Sequence, residues 1–275
     1  MDIFLIVLGL IWIITASVQD LKKREVWNWL NFSLIVFGLA YRAFYSVLNN
    51  DLWFFVFGVL GLGIFVGLGY LFYYSRIFAG GDAKLMIAMG VILPVSSSLI
   101  DNLLLFGVFT VLLLFAGSIY GLGFSLMLAF RNKKAFMHEF RKQLKKYKNY
   151  EYLAIAISIL LLFLLMSIGD LFLIILPTIV ILFPVLFVYG KAIENSCMIK
   201  SVSVSSLTEG DWLYEQVKIG KNIIKPDWEG LSSAELKILR KYRGKVKIKQ
   251  GIPFVPAFLI AFIALILVEK FGYGF

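Results

Sequence analysis

Residues 52–75 read LWFFVFGVLGLGIFVGLGYLFYYS, without one charged side chain. The hydrocarbon core of a bilayer takes about 20 apolar residues per helix, so this stretch predicts a membrane span. Working outward, similar runs cover 3–19, 85–100, 102–130, 152–169, 171–190 and 250–268. Another, 29–48, is interrupted only by Arg42. These runs predict an all-α polytopic membrane protein with a bundle of six to eight transmembrane helices. The short run containing Pro94 and the coupled pair within 152–190 set that range, because the pair could form a shallow hairpin. Composition agrees. Of 275 residues, 60% are apolar and 16% charged, and mean hydropathy is +0.87. Soluble domains carry about 25% charged residues. Cys197 and His138 are the single cysteine and the single histidine, which excludes a disulfide framework and disfavours a metal centre. No cofactor is implied.

Charge sets the orientation. Lys and Arg concentrate in cytoplasmic loops. With the N-terminus outside, the inner segments 20–28, 76–84, 131–151 and 191–249 hold 25 of the 27 basic residues, all but Arg42 and Lys270. The first run has no basic segment before it and is expected to stay in place rather than act as a removable signal peptide. The inner charge predicts attraction to anionic lipid. Nucleic acid is not expected as a partner, since no recognisable binding module accompanies the charge.

The expected organisation is a catalytic bundle at 1–130, a basic amphipathic segment at 131–151, a helical hairpin at 152–190, a small cytoplasmic α/β domain at 191–249, and a last transmembrane helix at 250–275. In the basic segment, Phe136, Phe140 and Leu144 recur every four residues, as in a helix lying on the inner leaflet. In the small domain, Ser201–Leu207 and Lys245–Lys249 alternate like strands, and Ser232 and Glu235 have capping-box spacing ahead of a helix over Leu236–Tyr242. Gly63 and Gly67, and Gly117 and Gly121, have the small-xxx-small spacing of close helix contacts.

Two acids stand at the inner ends of spans, at one depth: Asp20 in SVQDLKKRE and Asp82 in FAGGDAKLM. Acids at membrane depth are costly and functional by default. Two neighbouring carboxylates do not both ionise easily, so the pair can act as general acid and general base on one water. That is peptide hydrolysis without metal or covalent nucleophile. Asp82 opens a helix and Asp20 closes one, so the helix dipoles predict Asp82 as the more acidic and Asp20 as the proton holder. Each could instead be structural, Asp82 as a helix cap and Asp20 as an interfacial residue reaching water. Gly80 and Gly81, ahead of Asp82, would give a flexible approach for an extended peptide. Lys84 could tune the pair.

The segments SVQDLKKREVWNW and IFAGGDAKLMIAMGVILP resemble the two aspartate motifs of the archaeal preflagellin and prepilin peptidases, of the GxGD aspartyl protease class. KQGIPFVPAFLIAF resembles the start of their last span. Ala79 stands where the motif has its first glycine. The resemblance implies Asp20 and Asp82 as the catalytic dyad of a membrane aspartyl endopeptidase. That enzyme would remove a short basic leader from archaellin or type IV pilin-like precursors, with the active site facing the cytoplasm of a multi-pass plasma-membrane protein. Glu25 and the cluster Glu209, Asp211 and Glu215 are candidates for receiving the leader's cations. Two other readings fit less well. A presenilin or signal-peptide-peptidase type of protease would need a Tyr-Asp motif and a Pro-Ala-Leu motif, but Gln19 precedes Asp20. A non-enzymatic transporter or assembly factor would place its acids nearer the midplane.

Overall fold

The computed structural model describes residues 2–271 except 95, 97, 167–174, 220, 221, 242 and 243. It divides into two units, 1–123 with 252–275, and 124–251. Among the described residues, six helices are long and apolar enough to cross a membrane. Five are α1 (Ile3–Lys23), α2 (Asn28–Asn49), α3 (Leu52–Tyr74), α5 (Leu99–Arg131) and α7 (Ile175–Cys197). The sixth is α6 (Lys133–Met166). Their outward faces are apolar, as in Val47, Phe115 and Phe163, which suits a lipid solvent.

Two shorter helices complete the first unit. Helix α4 (Gly80–Ile92) rises about 20 Å at 1.5 Å per residue, less than a bilayer core. It is apolar all round, and Leu85, Met86, Ala88, Met89, Val91 and Ile92 are buried. Helix α9 (Val255–Phe271) buries Ala257, Phe258, Ala261, Phe262 and Leu265 in the same core. A helix without a polar stripe can be covered on every side. Helix α4 therefore lies inside the bundle, while α9 has one buried face and exposes Ile260, Ile263 and Leu267 on the other.

The close helix contacts use other glycines than the spacing predicted. Gly61 of α3 and Gly90 of α4 meet backbone to backbone, and a Cβ on either would strike the other's carbonyl. Gly63, Gly67 and Gly121 face open space, while Gly117 accommodates the Phe254 ring. The spacing identifies which residues are small and leaves undetermined which face meets a neighbour. Gly90→Ala is expected to destabilise the protein by about 1–3 kcal/mol through overpacking. Gly63→Ala should be neutral or slightly stabilising, because it only raises helix propensity. Thermal unfolding of both variants in detergent tests the contrast.

Helix α6 corrects the expected division at 151. The basic stretch and the following apolar run form one helix, so the stretch is not a separate segment lying on the leaflet. No Gly or Pro interrupts 133–166, and Lys, Gln, Glu, Leu and Ala favour continuation. The helix is about 50 Å long, so its Lys-rich half extends beyond any bilayer core that holds the other half. Ser158 donates to the Pro177 carbonyl (2.9 Å), fastening α6 to α7. Pro184 lies inside α7. The turn of the expected hairpin falls outside the described residues.

The small domain is α/β, as expected. Strands β1 (Ile199–Ser203), β2 (Trp212–Leu213) and β5 (Lys245–Lys249) form an antiparallel sheet in the order β1-β5-β2, with Val202 opposite Val246 and Leu213 opposite Ile248. Strands β3 (Val217–Ile219) and β4 (Asn222–Ile224) pair separately. The first strand starts earlier than the alternation suggested and ends at Ser203, where a 3-10 turn takes over. Helix α8 (Ser233–Leu239) has the predicted capping box: the Glu235 amide donates to Ser232 Oγ, and the Ser232 amide donates to Glu235 Oε2. Tyr242 lies outside the described residues. Leu207, Leu236, Leu239, Val246 and Ile248 form the domain's own core.

Candidate active site

Both aspartates lie in the first unit. Asp20 occupies the last turn of α1 and is 7% exposed. Its Oδ2 accepts the Val255 amide at 3.0 Å. That amide opens α9, one of the donors that a helix N-terminus leaves without an internal partner. Pro253 and Pro256 flank it, so the chain must turn before α9 begins. Arg24 ends α1 in the left-handed conformation (φ 59°), its amide donating to the Asp20 carbonyl. The Arg24 guanidinium acts electrostatically on Asp20, and Asp20 in turn on the Tyr120 hydroxyl of α5. Neither residue was singled out from the sequence, because nothing in their local pattern tells them from interfacial residues.

Asp82 stands in the first turn of α4. Its Oδ2 accepts the Ala79 amide at 3.3 Å, so it does cap its helix. It also lies within reach of Asp20's charge. Burial, and secondarily Asp20, push Asp82 up to about 7. For Asp82, burial thus works against the helix dipole that was expected to keep it the more acidic of the two. Asp20 closes α1 but also faces the N-terminus of α9, so both carboxylates stand at helix N-termini and the dipoles do not separate them. The cap and the charge pairing coexist in one side chain.

The other expected residues divide. Gly80 and Gly81 are the first helical residues of α4, and neither has a positive φ. Their contribution is open space rather than an unusual turn. Gly81 has the Val26 side chain as its neighbour and Gly80 the Tyr73 ring, each at ordinary contact distance from where a Cβ would lie. Lys84 extends to Asn28 Oδ1 (2.7 Å) and ties α4 to the start of α2; it is not among the groups that move Asp82. Glu25 is exposed in the α1–α2 connector, at an open cleft lined by residues 25–29. Glu209, Asp211 and Glu215 belong to the second unit and have partners there: Ser233 Oγ donates to Glu209, the Thr208 amide donates to Asp211, and Lys247 pairs with Glu215.

Two neighbouring carboxyls at the end of an apolar bundle can act as general acid and general base on one water. Residues 7–129, the stretch carrying both aspartates, match the type IV leader peptidase family. Curated relatives include the preflagellin peptidase of Methanocaldococcus jannaschii, 30% identical over 88 residues, which is 32% of this chain and 37% of the relative. The preflagellin peptidase of Methanococcus maripaludis is 33% identical over 88 residues, 32% of this chain and 38% of the relative. The prepilin peptidase EppA of Methanothermobacter thermautotrophicus is 29% identical over 156 residues, 52% of this chain and 40% of the relative. The chain thus spans 37–40% of the length of these relatives.

Proposed function

We propose that this chain is a membrane aspartic endopeptidase that removes the leader peptide from archaellin or type IV pilin-like precursors. The observation that carries the reading is the pair of carboxyls in one unit, Asp20 held by the Val255 amide and Asp82 at the first turn of α4, each within reach of the other's charge. The family match over 7–129 and the names of the relatives support the substrate class. The distribution of Lys and Arg supports a plasma-membrane protein with its aspartates facing the cytoplasm. The Lys-rich half of α6 would then meet anionic lipid where it leaves the bilayer.

In this mechanism Asp20 accepts a proton from a water held between the carboxyls. The resulting hydroxide attacks the scissile carbonyl carbon while Asp82 donates its proton to the carbonyl oxygen. The tetrahedral diol then collapses: the C–N bond breaks, Asp20 returns its proton to the leaving amine, and Asp82 recovers one from the diol. No covalent intermediate forms. Because Asp82 must start protonated, kcat/KM should fall as pH rises through about 7. Cleavage of a synthetic leader-bearing precursor, followed by mass spectrometry across pH, tests both points. A precursor left intact, or a rate that keeps rising above neutrality, would contradict the reading.

A further inference from the structure

The connector between α1 and α2 is fastened at both sides of the site. Gln19 Oε1, next to Asp20, accepts the Trp27 amide. Asn28 Oδ1 accepts Lys84 Nζ from the helix of Asp82. Between these ties, residues 25–29 line the open cleft, and Val26 faces Gly81. The Trp27 and Trp29 rings are exposed and lie 6.0 Å apart. Lys23 Nζ sits 4.8 Å from the Trp27 ring centre, so the wall already accommodates one cation. Within 20–28 and 76–84 the basic residues are Lys22, Lys23, Arg24, Arg76 and Lys84, and the one acid besides the aspartate pair is Glu25. Among the described residues its carboxylate makes no hydrogen bond or ion pair, and it is exposed at the cleft.

We propose that this cleft is a subsite for a cationic side chain of the bound peptide, with Glu25 as its counter-ion and the Trp29 ring as its wall. The inference rests on the endopeptidase reading and assigns the specificity-determining residue beside the scissile bond. A lone carboxylate and an indole face suit an ammonium or guanidinium, and the surrounding cations repel that group everywhere else. Glu25 touches no reacting atom, so its effect should fall on recognition rather than on the chemical step.

The test uses the full chain in detergent and three synthetic precursors whose leader carries Lys, Gln or Glu at the same positions. Glu25→Lys should cut the Lys leader about tenfold less efficiently, mainly through KM, and should cut the Glu leader better than the unaltered protein does. Glu25→Gln should lie between, and matching thermal unfolding midpoints for the three proteins would show that the variants fold. Equal rates for all three proteins on the Lys leader would overturn the subsite, as would a loss that the Glu leader fails to restore. If the unaltered protein cuts none of the three leaders, the endopeptidase reading fails instead.

Discussion

Asp82→Asn should lower cleavage of a leader-bearing precursor by about a thousandfold or more, within the usual range for losing a general acid or base. Asp20→Asn should do the same. The double variant should be no worse than either single one, because the two groups act as a unit on one water. The reasoning is specific to each position. Asparagine at 82 keeps an oxygen for the Ala79 amide, so the cap survives while the proton is lost. Asparagine at 20 can likewise still accept from Val255 while losing the base. Thermal unfolding of both variants should therefore stay near that of the unaltered protein, and single-turnover rates should separate chemistry from folding.

The largest expected effect on stability is at Arg42. This side chain of α2 is 1% exposed and enters the bundle where α4 ends. Its Nε donates to the Val91 carbonyl (2.7 Å) and its Nη1 to the Phe54 carbonyl (2.9 Å). Its Nη2 donates to the Ile92 and Pro94 carbonyls. The guanidinium also lies 4.6 Å from the Phe54 ring centre. The last carbonyls of a helix have no internal partner, and Pro94 prevents α4 from continuing to supply them. Arg42 supplies those donors from another helix, passing Gly58, where any Cβ would strike its stem. Arg42→Met keeps much of the volume and leaves these carbonyls unsatisfied in an apolar interior. A loss of about 3–5 kcal/mol is expected, as for breaking other buried charged networks. Arg42→Lys should recover only part, because one ammonium cannot reproduce the forked set of donors. Unfolding in detergent measures both, and a Met variant as stable as the unaltered protein would show that the network is unnecessary.

Much of this architecture is legible in the sequence, because lipid enforces simple rules. A helix that meets hydrocarbon must be apolar and long, so α1, α2, α3 and α5 follow from the uncharged runs. The aspartates stand out for the converse reason, since an acid at the end of such a run needs a cause. What the sequence hides depends on which elements become neighbours. The run around Arg42 reads as a blemished span, and only the end of α4 beside it explains the charge. The glycine spacing in α3 selects Gly63 and Gly67, yet the crossing with α4 uses Gly61. The partner that holds Asp20 is hidden for the same reason, since the α9 N-terminus lies 235 residues further along the chain. Periodicity gives the length of α6 only once its basic and apolar halves are recognised as one helix. The acids at 209, 211 and 215 form a cluster in the sequence, but in the small domain each holds a local partner.

The most direct measurement is isotopic: the purified protein and a leader-bearing precursor are mixed in water enriched in oxygen-18, and the products are weighed. Hydrolysis at a water held by Asp20 and Asp82 predicts one cut ahead of the apolar helix. One heavy oxygen should appear in the new carboxyl of the leader, and none of it when either aspartate is replaced by asparagine. A precursor cut as readily by the Asp20→Asn protein, or never cut by the unaltered one, would contradict that account.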